Sequence, residues 1–202
     1  MKSLSLSKPH MIIIVGIAGA GKSFFANQFA HTFQAPLVSR STILESFHGH
    51  GLSQKAQEDI SDSIIRTSVR ELLKTKQSII IDANCDTRTD RAEFVRLART
   101  AGYEPLLIWV QTEPLTAKQR ATRQNKQQQT PARMTPEEHD AAVRKFTTPN
   151  AAEKAIVISG KHTYASQAKI VLTKLAKPRQ ETLNTQMTPP ARKSLAGRIT
   201  IR

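Results

Sequence analysis

Eight residues near the N-terminus have the types and spacing of a phosphate-binding loop. Within VGIAGAGKSF, the residues Gly16, Gly21, Lys22 and Ser23 fit the pattern G-x-x-x-x-G-K-[ST]. In such a loop, backbone N–H groups and the start of the following helix attract an anion, the lysine reaches the β- and γ-phosphates, and the hydroxyl coordinates Mg²⁺. The sequence therefore predicts that ATP and Mg²⁺ are bound by Gly16, Ala18, Gly19, Ala20, Gly21, Lys22, Ser23 and Phe24.

An aspartate and two arginines are the next candidates for chemistry. Asp82 closes the apolar run SIIID, and ligands of open α/β sheets bind at the carboxyl ends of strands, so we expect it to hold Mg²⁺ together with Ser23. Arg120 and Arg123 lie three residues apart in KQRATRQNKQQQTPAR, which contains no acidic residue. On one side of a helix they would bring positive charge to a transferring phosphoryl group. A solvated helix face is the alternative interpretation of these arginines.

Composition narrows the classes of protein. The single cysteine, Cys85, excludes an internal disulfide and a multi-cysteine metal site. No run of 18 apolar residues occurs, and the apolar stretch before the loop is typical of a first strand rather than a secretion signal, so we expect a cytoplasmic protein. The formal net charge of +14 favours a polyanionic partner or a site for several phosphates. Part of this charge lies in residues 177–202, where six basic residues accompany one acid.

The elements that must position these residues follow an alternating order. Five short apolar runs alternate with longer helical patterns, which indicates a parallel sheet with crossover helices. We expect an N-terminal extension over residues 1–10, one α/β domain over 11–176 with a helical lid over about 115–146, and a disordered basic tail over 177–202. The predicted strands are 11–15, 36–39, 78–82, 105–110 and 155–159, and the predicted helices are 23–33, 54–74, 89–101, 115–129, 135–146 and 164–176.

A family resemblance covers about residues 11–176. The stretches IIIVGIAGAGKSFFANQFA, IIIDANCDTRTDRAEFVRLARTAGYEPLLIWVQTEPLTAKQRATRQN and EEHDAAVRKFTTPNAAEKAIVIS resemble the small P-loop kinases typified by the kinase domain of phage polynucleotide kinase. This group is similar to gluconate kinases, zeta toxins and chloramphenicol phosphotransferases. The resemblance implies a five-stranded parallel sheet in the order 2-3-1-4-5, with ATP and Mg²⁺ at the phosphate loop and transfer of the γ-phosphate to a hydroxyl.

The resemblance also assigns residues. Lys22 and Ser23 match the lysine and serine of the family's loop, Asp82 matches its strand-three aspartate, and Arg120 and Arg123 fall where its lid arginines lie. Arg88 and Arg91 fall at positions after this aspartate where the family often has basic residues.

The sequence differs from the family at two positions after strand two that act on the acceptor hydroxyl, and at Cys85. Members usually carry an aspartate after strand two, which accepts the proton of the attacking hydroxyl, and an arginine three residues later; here these positions hold Ser41 and Leu44. A serine is no general base at neutral pH without a further partner. The second departure is Cys85, where an asparagine is common.

The proton acceptor and the substrate therefore stay open. Glu45, His48 and His50 are alternative bases, and the sequence does not choose among them. If the base is missing, Ser41→Asp is expected to raise phosphate transfer at least tenfold. The leading hypothesis is an ATP-dependent kinase acting on a small molecule or on the 5′ end of a nucleic acid. The alternative is a degenerate, ATP-binding relative of these kinases without the usual base, which acts as a nucleotide- or nucleic-acid-binding module or as an ATPase. We expect a monomer that does not associate with membranes.

Overall fold

The strands form a single parallel sheet in the predicted order. The computed structural model describes residues 8–47, 50–83, 85–123 and 134–176. Within these residues the sheet has the order β2-β3-β1-β4-β5, and every neighbouring pair is parallel. The prediction of an α/β P-loop fold with this strand order is confirmed. The strands are β1 His10–Val15, β2 Leu37–Ser39, β3 Ile79–Asp82, β4 Glu104–Gln111 and β5 Ile156–Ser159.

Helices connect the strands, and their starts have identifiable caps. Thr87 and Thr135 each form a capping box, which satisfies free N–H groups at the start of the fourth and sixth helices. Pro136 occupies the first turn of the sixth helix, where its missing N–H costs nothing. The helices are α1 Lys22–Phe33, α2 Arg40–Glu45, α3 Gln54–Lys74, α4 Arg88–Thr100, α5 Pro114–Thr122, α6 Pro136–Lys145 and α7 Tyr164–Ala176.

Two helices differ from the sequence-based expectation. The helix predicted over 115–129 begins at Pro114 and ends at Thr122, and residues 124–133 lie outside the described residues. The short helix α2 was not predicted. It begins directly after β2, where the hydroxyl of Ser39 accepts a hydrogen bond from the backbone N–H of Thr42. Six residues are too few to show a helical period in the sequence.

The sheet is buried on both faces. Successive side chains of β1 point to opposite sides, so Ile12 and Ile14 pack under α1 and α7, whereas Met11 and Ile13 pack under α3 and α4. Phe25 and Phe29 on α1 are fully buried, with ring centroids 5.3 Å apart. This double covering fixes the sheet and hence the loops at its carboxyl edge, and it explains why β1 reads as a continuous apolar run.

The two ends of the chain lie mostly outside the described residues. The predicted basic tail over 177–202 and residues 1–7 of the predicted extension are not described, so the proposed domain division stays a prediction. Among the residues that are described, no helix combines the length and the apolar character needed to cross a bilayer.

Candidate functional site

The loop between β1 and α1 depends on glycines at two tight positions. Gly19 has a φ of +79°, and a Cβ there would collide with the carbonyl oxygen of Ala117 on α5. Gly16 has a φ of +148°, and a Cβ there would collide with the carbonyl oxygen of Val110 on β4. Both conformations disfavour side chains, and both contacts leave no space for one. The loop is therefore held tightly between the end of β4 and α5.

Lys22 begins α1 and bends back over this loop. Its Nζ donates hydrogen bonds to the carbonyl oxygens of Gly16 at 2.7 Å and of Ile17 at 3.2 Å. Burial lowers the pKa of Lys22, and the negative charges of Asp82 and then Asp86 oppose this change. A desolvated ammonium group gains most from a nearby anion, since the anion favours its charged form. The position and environment of Lys22 suit a phosphate-binding lysine.

A cavity of about 770 Å³ surrounds Lys22 at the carboxyl edge of the sheet. Its walls come from the phosphate loop, α2, the end of β3, the helices α5 and α6, and the turn after β5. Most of the predicted loop and site residues line it, namely Ala18, Gly19, Gly21, Lys22, Ser23, Phe24, Asp82 and Arg120. Gly16, Ala20 and Arg123 are not among the lining residues.

Asp82 and Ser23 provide oxygen atoms that suit Mg²⁺. Asp82 is only 5% exposed at the end of β3, in register with Ser39 of β2, and Ser23 lies half-buried in the first turn of α1. Mg²⁺ commonly binds through one or two protein oxygens plus substrate phosphates and water. A dense cluster of protein ligands is therefore not required. The described part of the chain contains no group of three or more His, Cys, Asp or Glu residues that could hold a metal ion. The donor set fits Mg²⁺.

Helices α5 and α6, which lie in the predicted lid, contact each other and the phosphate loop. Lys118 on α5 pairs with Asp140 on α6 at 2.7 Å, which lowers the pKa of Asp140. Beside it, the buried His139 places its Nε2 3.2 Å from the carbonyl oxygen of Ala18 in the phosphate loop. These contacts hold α5 and α6 over the loop.

The two predicted lid arginines lie in different surroundings. Arg120 lines the cavity and donates from Nη1 to the carbonyl oxygen of Gly160, at 3.0 Å, in the turn after β5. Arg123 follows the last residue of α5, is exposed, and is the last residue described before position 134. The structure thus brings Arg120, but not Arg123, to the cavity wall; a role for either in catalysis stays a prediction.

Arg91 forms a buried network, whereas Arg88 is exposed. The Arg91 guanidinium binds both carboxylate oxygens of Glu153, at 2.6 and 3.1 Å, and lowers the pKa of Glu153. Its Nη1 also donates to the carbonyl oxygens of Cys85, Asp86 and Thr147, at 3.3, 3.3 and 2.9 Å. Arg91 therefore anchors the loop after β3 to the segment that follows α6.

Ser41 and Leu44, which occupy the positions of the usual aspartate and arginine, lie on the α2 side of the cavity. Ser41 and Leu44 line the wall, and the hydroxyl oxygens of Ser41 and Ser39 lie 3.0 Å apart. Arg40 lines it too. Its Nε is buried, has no hydrogen-bond partner among the described residues, and lies 4.0 Å from a carboxylate oxygen of Asp62. This side of the cavity therefore carries one positive charge near the two substituted positions.

Of the three alternative bases named from sequence, the two that the structure describes do not line the cavity. Glu45 and His50 are exposed and are not among the lining residues, and His48 lies outside the described residues. Sequence reasoning missed Asp86, a half-buried residue that does line the cavity. The available signal was a second aspartate in IDANCD, four residues beyond Asp82. Its neighbour Cys85 is buried, and burial raises the pKa of that thiol far above its usual range.

Solved structures with the same fold include a gluconokinase, a protein in complex with ADP-AlF3 and a chain of an RNA repair complex. A gluconokinase from Sinorhizobium meliloti superposes with a TM-score of 0.59 and 13% identity, over 83% of this chain and 92% of that one. Kti12 of Chaetomium thermophilum, solved with ADP-AlF3, gives 0.63 and 17%, over 81% and 96%. A chain of the Pnkp1/Rnl/Hen1 RNA repair complex gives 0.59 and 22%, over 75% of this chain but only 47% of that one. At these identities the likeness concerns the fold.

The sequence comparison identifies the family. No protein with a curated description matches this sequence significantly. A family profile described as an AAA domain matches residues 11–149, which covers more than half of the chain and includes the phosphate loop, Asp82 and Arg120. Together with the P-loop fold and its kinase neighbours, this match shows that the chain belongs to the AAA domain family.

Proposed function

We propose that this protein is an ATP-dependent phosphotransferase that moves the γ-phosphate of ATP to a hydroxyl group. The supporting observation is a single cavity that contains Lys22 and continues past it on both sides, toward α2 and toward the turn after β5. Phosphoryl transfer requires space for a donor and an acceptor in line with the moving group. A protein that only binds a nucleotide has no such requirement.

Strand order divides the cavity into two sides. In the order β2-β3-β1-β4-β5, the loops after β2 and β3 flank the phosphate loop on one side, and those after β4 and β5 flank it on the other. Arg120, Lys161 and His162 lie on the β4–β5 side, where we place the nucleoside part of ATP. Ser41 and Asp86 lie on the β2–β3 side, where we place the acceptor.

The charges around Lys22 suit a transferring phosphoryl group. Lys22 would bind the β- and γ-phosphates, and Arg120 would stabilise the negative charge that spreads over the moving group. Ser23 and Asp82 would hold Mg²⁺, which supplies charge neutralisation on the phosphates. Each of these side chains already lines the cavity, so little rearrangement is required to assemble them.

The acceptor is either a small molecule or the 5′ end of a nucleic acid. The gluconokinase neighbour is named for a small substrate, and another neighbour belongs to an RNA repair complex. The net charge of +14 favours an anionic acceptor of either kind. We place the activity in the cytoplasm and in a monomer.

A second candidate function is an ATP-binding module that transfers no phosphate. Ser41 favours it, because a serine stands where the related kinases carry the base for the acceptor hydroxyl. The two candidates share the ATP site and differ only in whether the γ-phosphate leaves.

A screen with γ-labelled ATP distinguishes them. The acceptors are 5′-hydroxyl oligonucleotides, nucleosides, sugars including gluconate, and water, each tested with Mg²⁺. The kinase proposal predicts label in at least one organic acceptor, and loss of that label in Lys22→Ala but not in Lys169→Ala, which changes an exposed lysine of α7. Tight ATP binding without transfer to any acceptor would favour the binding module.

A further inference from the structure

The cavity contains two carboxylates among its described lining residues, and the proposed Mg²⁺ site uses only one. Asp82 is 5% exposed at the end of β3 and is the one that we assign to Mg²⁺. The other, Asp86, is half-buried four residues further along, on the side of the cavity that holds Ser41. We infer that Asp86 is the catalytic base for the acceptor hydroxyl. This inference rests on the proposed phosphotransferase function.

The backbone of Asp86 is fixed from two directions. Its carbonyl oxygen accepts hydrogen bonds from the backbone N–H of Thr147 at 2.8 Å and from Arg91 Nη1 at 3.3 Å. Arg91 is itself fully buried and bound to Glu153. A general base needs a defined position relative to the proton that it removes, and this loop provides one.

The charge of Asp86 acts close to the phosphate-binding lysine. Asp86 is the second largest of the charges that oppose the lowering of the Lys22 pKa, after Asp82. Its side chain thus belongs to the same electrostatic environment as the residue that would hold the γ-phosphate. Other candidate bases are less suitable, because Ser41 is not basic at neutral pH and His162 lies on the nucleoside side.

In the reaction, the acceptor oxygen forms a bond to the γ-phosphorus. The bond from that phosphorus to the oxygen bridging the β- and γ-phosphates breaks, and ADP leaves with that oxygen. The hydroxyl proton passes to the Asp86 carboxylate and from there to solvent. When water is the acceptor, the same proton transfer accompanies hydrolysis to ADP and phosphate.

The test measures transfer and ATP hydrolysis in Asp86→Asn. The amide keeps the size of the side chain but loses its basicity, so kcat should fall about 10²- to 10⁴-fold for transfer and for hydrolysis. ATP affinity should change by less than about threefold, since the nucleotide contacts are kept. Glu45→Gln is the matched control, because it makes the same change in an exposed acid outside the cavity, and it should behave as the wild type.

Two rescue measurements separate a base from a structural role. Sodium formate should restore part of the activity of Asp86→Ala, because a small carboxylate can occupy the space left by the side chain. Ser41→Asp should restore activity in the Asp86→Asn background, yet raise the wild-type rate by less than about tenfold, because a base is already present. A missing base would instead give the full gain in the wild type.

Three results would overturn the inference. Transfer by Asp86→Asn at the wild-type rate, with Lys22→Ala inactive, would exclude Asp86 and leave the phosphotransferase proposal intact. A loss that neither formate nor Ser41→Asp rescues would assign Asp86 a structural role. A wild type that binds ATP but neither transfers nor hydrolyses it would contradict the proposed function, and the inference with it.

Discussion

Replacing Arg91 with methionine should destabilise the fold more than any other arginine substitution on α4. Its side chain is 1% exposed, pairs with Glu153 and donates to three backbone carbonyl groups. Methionine fills much of the same volume but removes the cation that pairs with the Glu153 carboxylate, which then keeps the hydrogen bond from the backbone N–H of Asn150. The Glu153 side chain is 17% exposed, so water compensates only part of this loss.

The magnitude follows from the burial of the pair. Removing one partner of a buried ion pair costs about 3–5 kcal/mol, and the exposed fraction of Glu153 places the loss near the lower end, about 3 kcal/mol. With a urea m-value of about 2 kcal/mol per molar, the unfolding midpoint should fall by about 1.5 M. A total stability of about 5–15 kcal/mol leaves the variant folded at low denaturant.

The pH dependence of the free energy of unfolding tests whether the Arg91–Glu153 ion pair causes this loss of stability. Arg91 lowers the pKa of Glu153 below its ordinary value of 4.5, so the pair contributes stability above that pH and loses it as the pH falls through the lowered folded pKa. In Arg91→Met this acid-dependent part should shrink. The control is Arg96→Met, an exposed arginine on the same helix, which should cost about 0.5 kcal/mol or less. Equal urea midpoints for the two variants would refute the reasoning.

Two substitutions test the proposed site, and one deletion tests the C-terminal tail. Gly19→Ala should lower ATP affinity at least about tenfold, because the new Cβ would collide with the carbonyl oxygen of Ala117. Gly102→Ala is the control, since Gly102 has a similar φ of +78° but no atom of the described residues within 4 Å of a Cβ, and it should leave the affinity unchanged. Equal affinities of the two variants would contradict a tight loop. Asp82→Asn should reduce turnover more than nucleotide affinity, since it removes the negative charge that we propose for the Mg²⁺ site, and unchanged turnover would remove Asp82 from that site. Deleting residues 177–202 should leave the melting temperature unchanged and make any nucleic-acid affinity less dependent on salt, and an unchanged salt slope would exclude a binding role for the tail.

The parts of the fold that were predictable are those set by local signals. The strand β1 was predictable from its apolar run, and the loop after it from glycines at a fixed spacing. Helix α1 was predictable from phenylalanines four residues apart, at positions 25, 29 and 33. The strand order came from the family resemblance rather than from periodicity. Helix α2 was missed because it is six residues long and begins directly after β2, with no loop residues between them to mark its start.

The acceptor side was less predictable because it depends on contacts between distant residues. The role proposed for Asp86 requires knowledge that this residue lines the cavity, and its loop is held by Arg91, which pairs with Glu153, 62 residues away. A sequence pattern cannot distinguish the buried Arg91 from the exposed Arg88 three residues earlier. The same limit applies to His139, whose contact with Ala18 joins residues 121 positions apart.

The account depends most on the phosphate loop binding the triphosphate, and calorimetric titration with ATP and Mg²⁺ tests this directly. Lys22→Ala should weaken ATP binding at least about tenfold, because in the proposed site this lysine is the main side-chain charge on the β- and γ-phosphates. Lys169→Ala should bind as the wild type does. Unchanged ATP affinity in a folded Lys22→Ala variant would contradict the account.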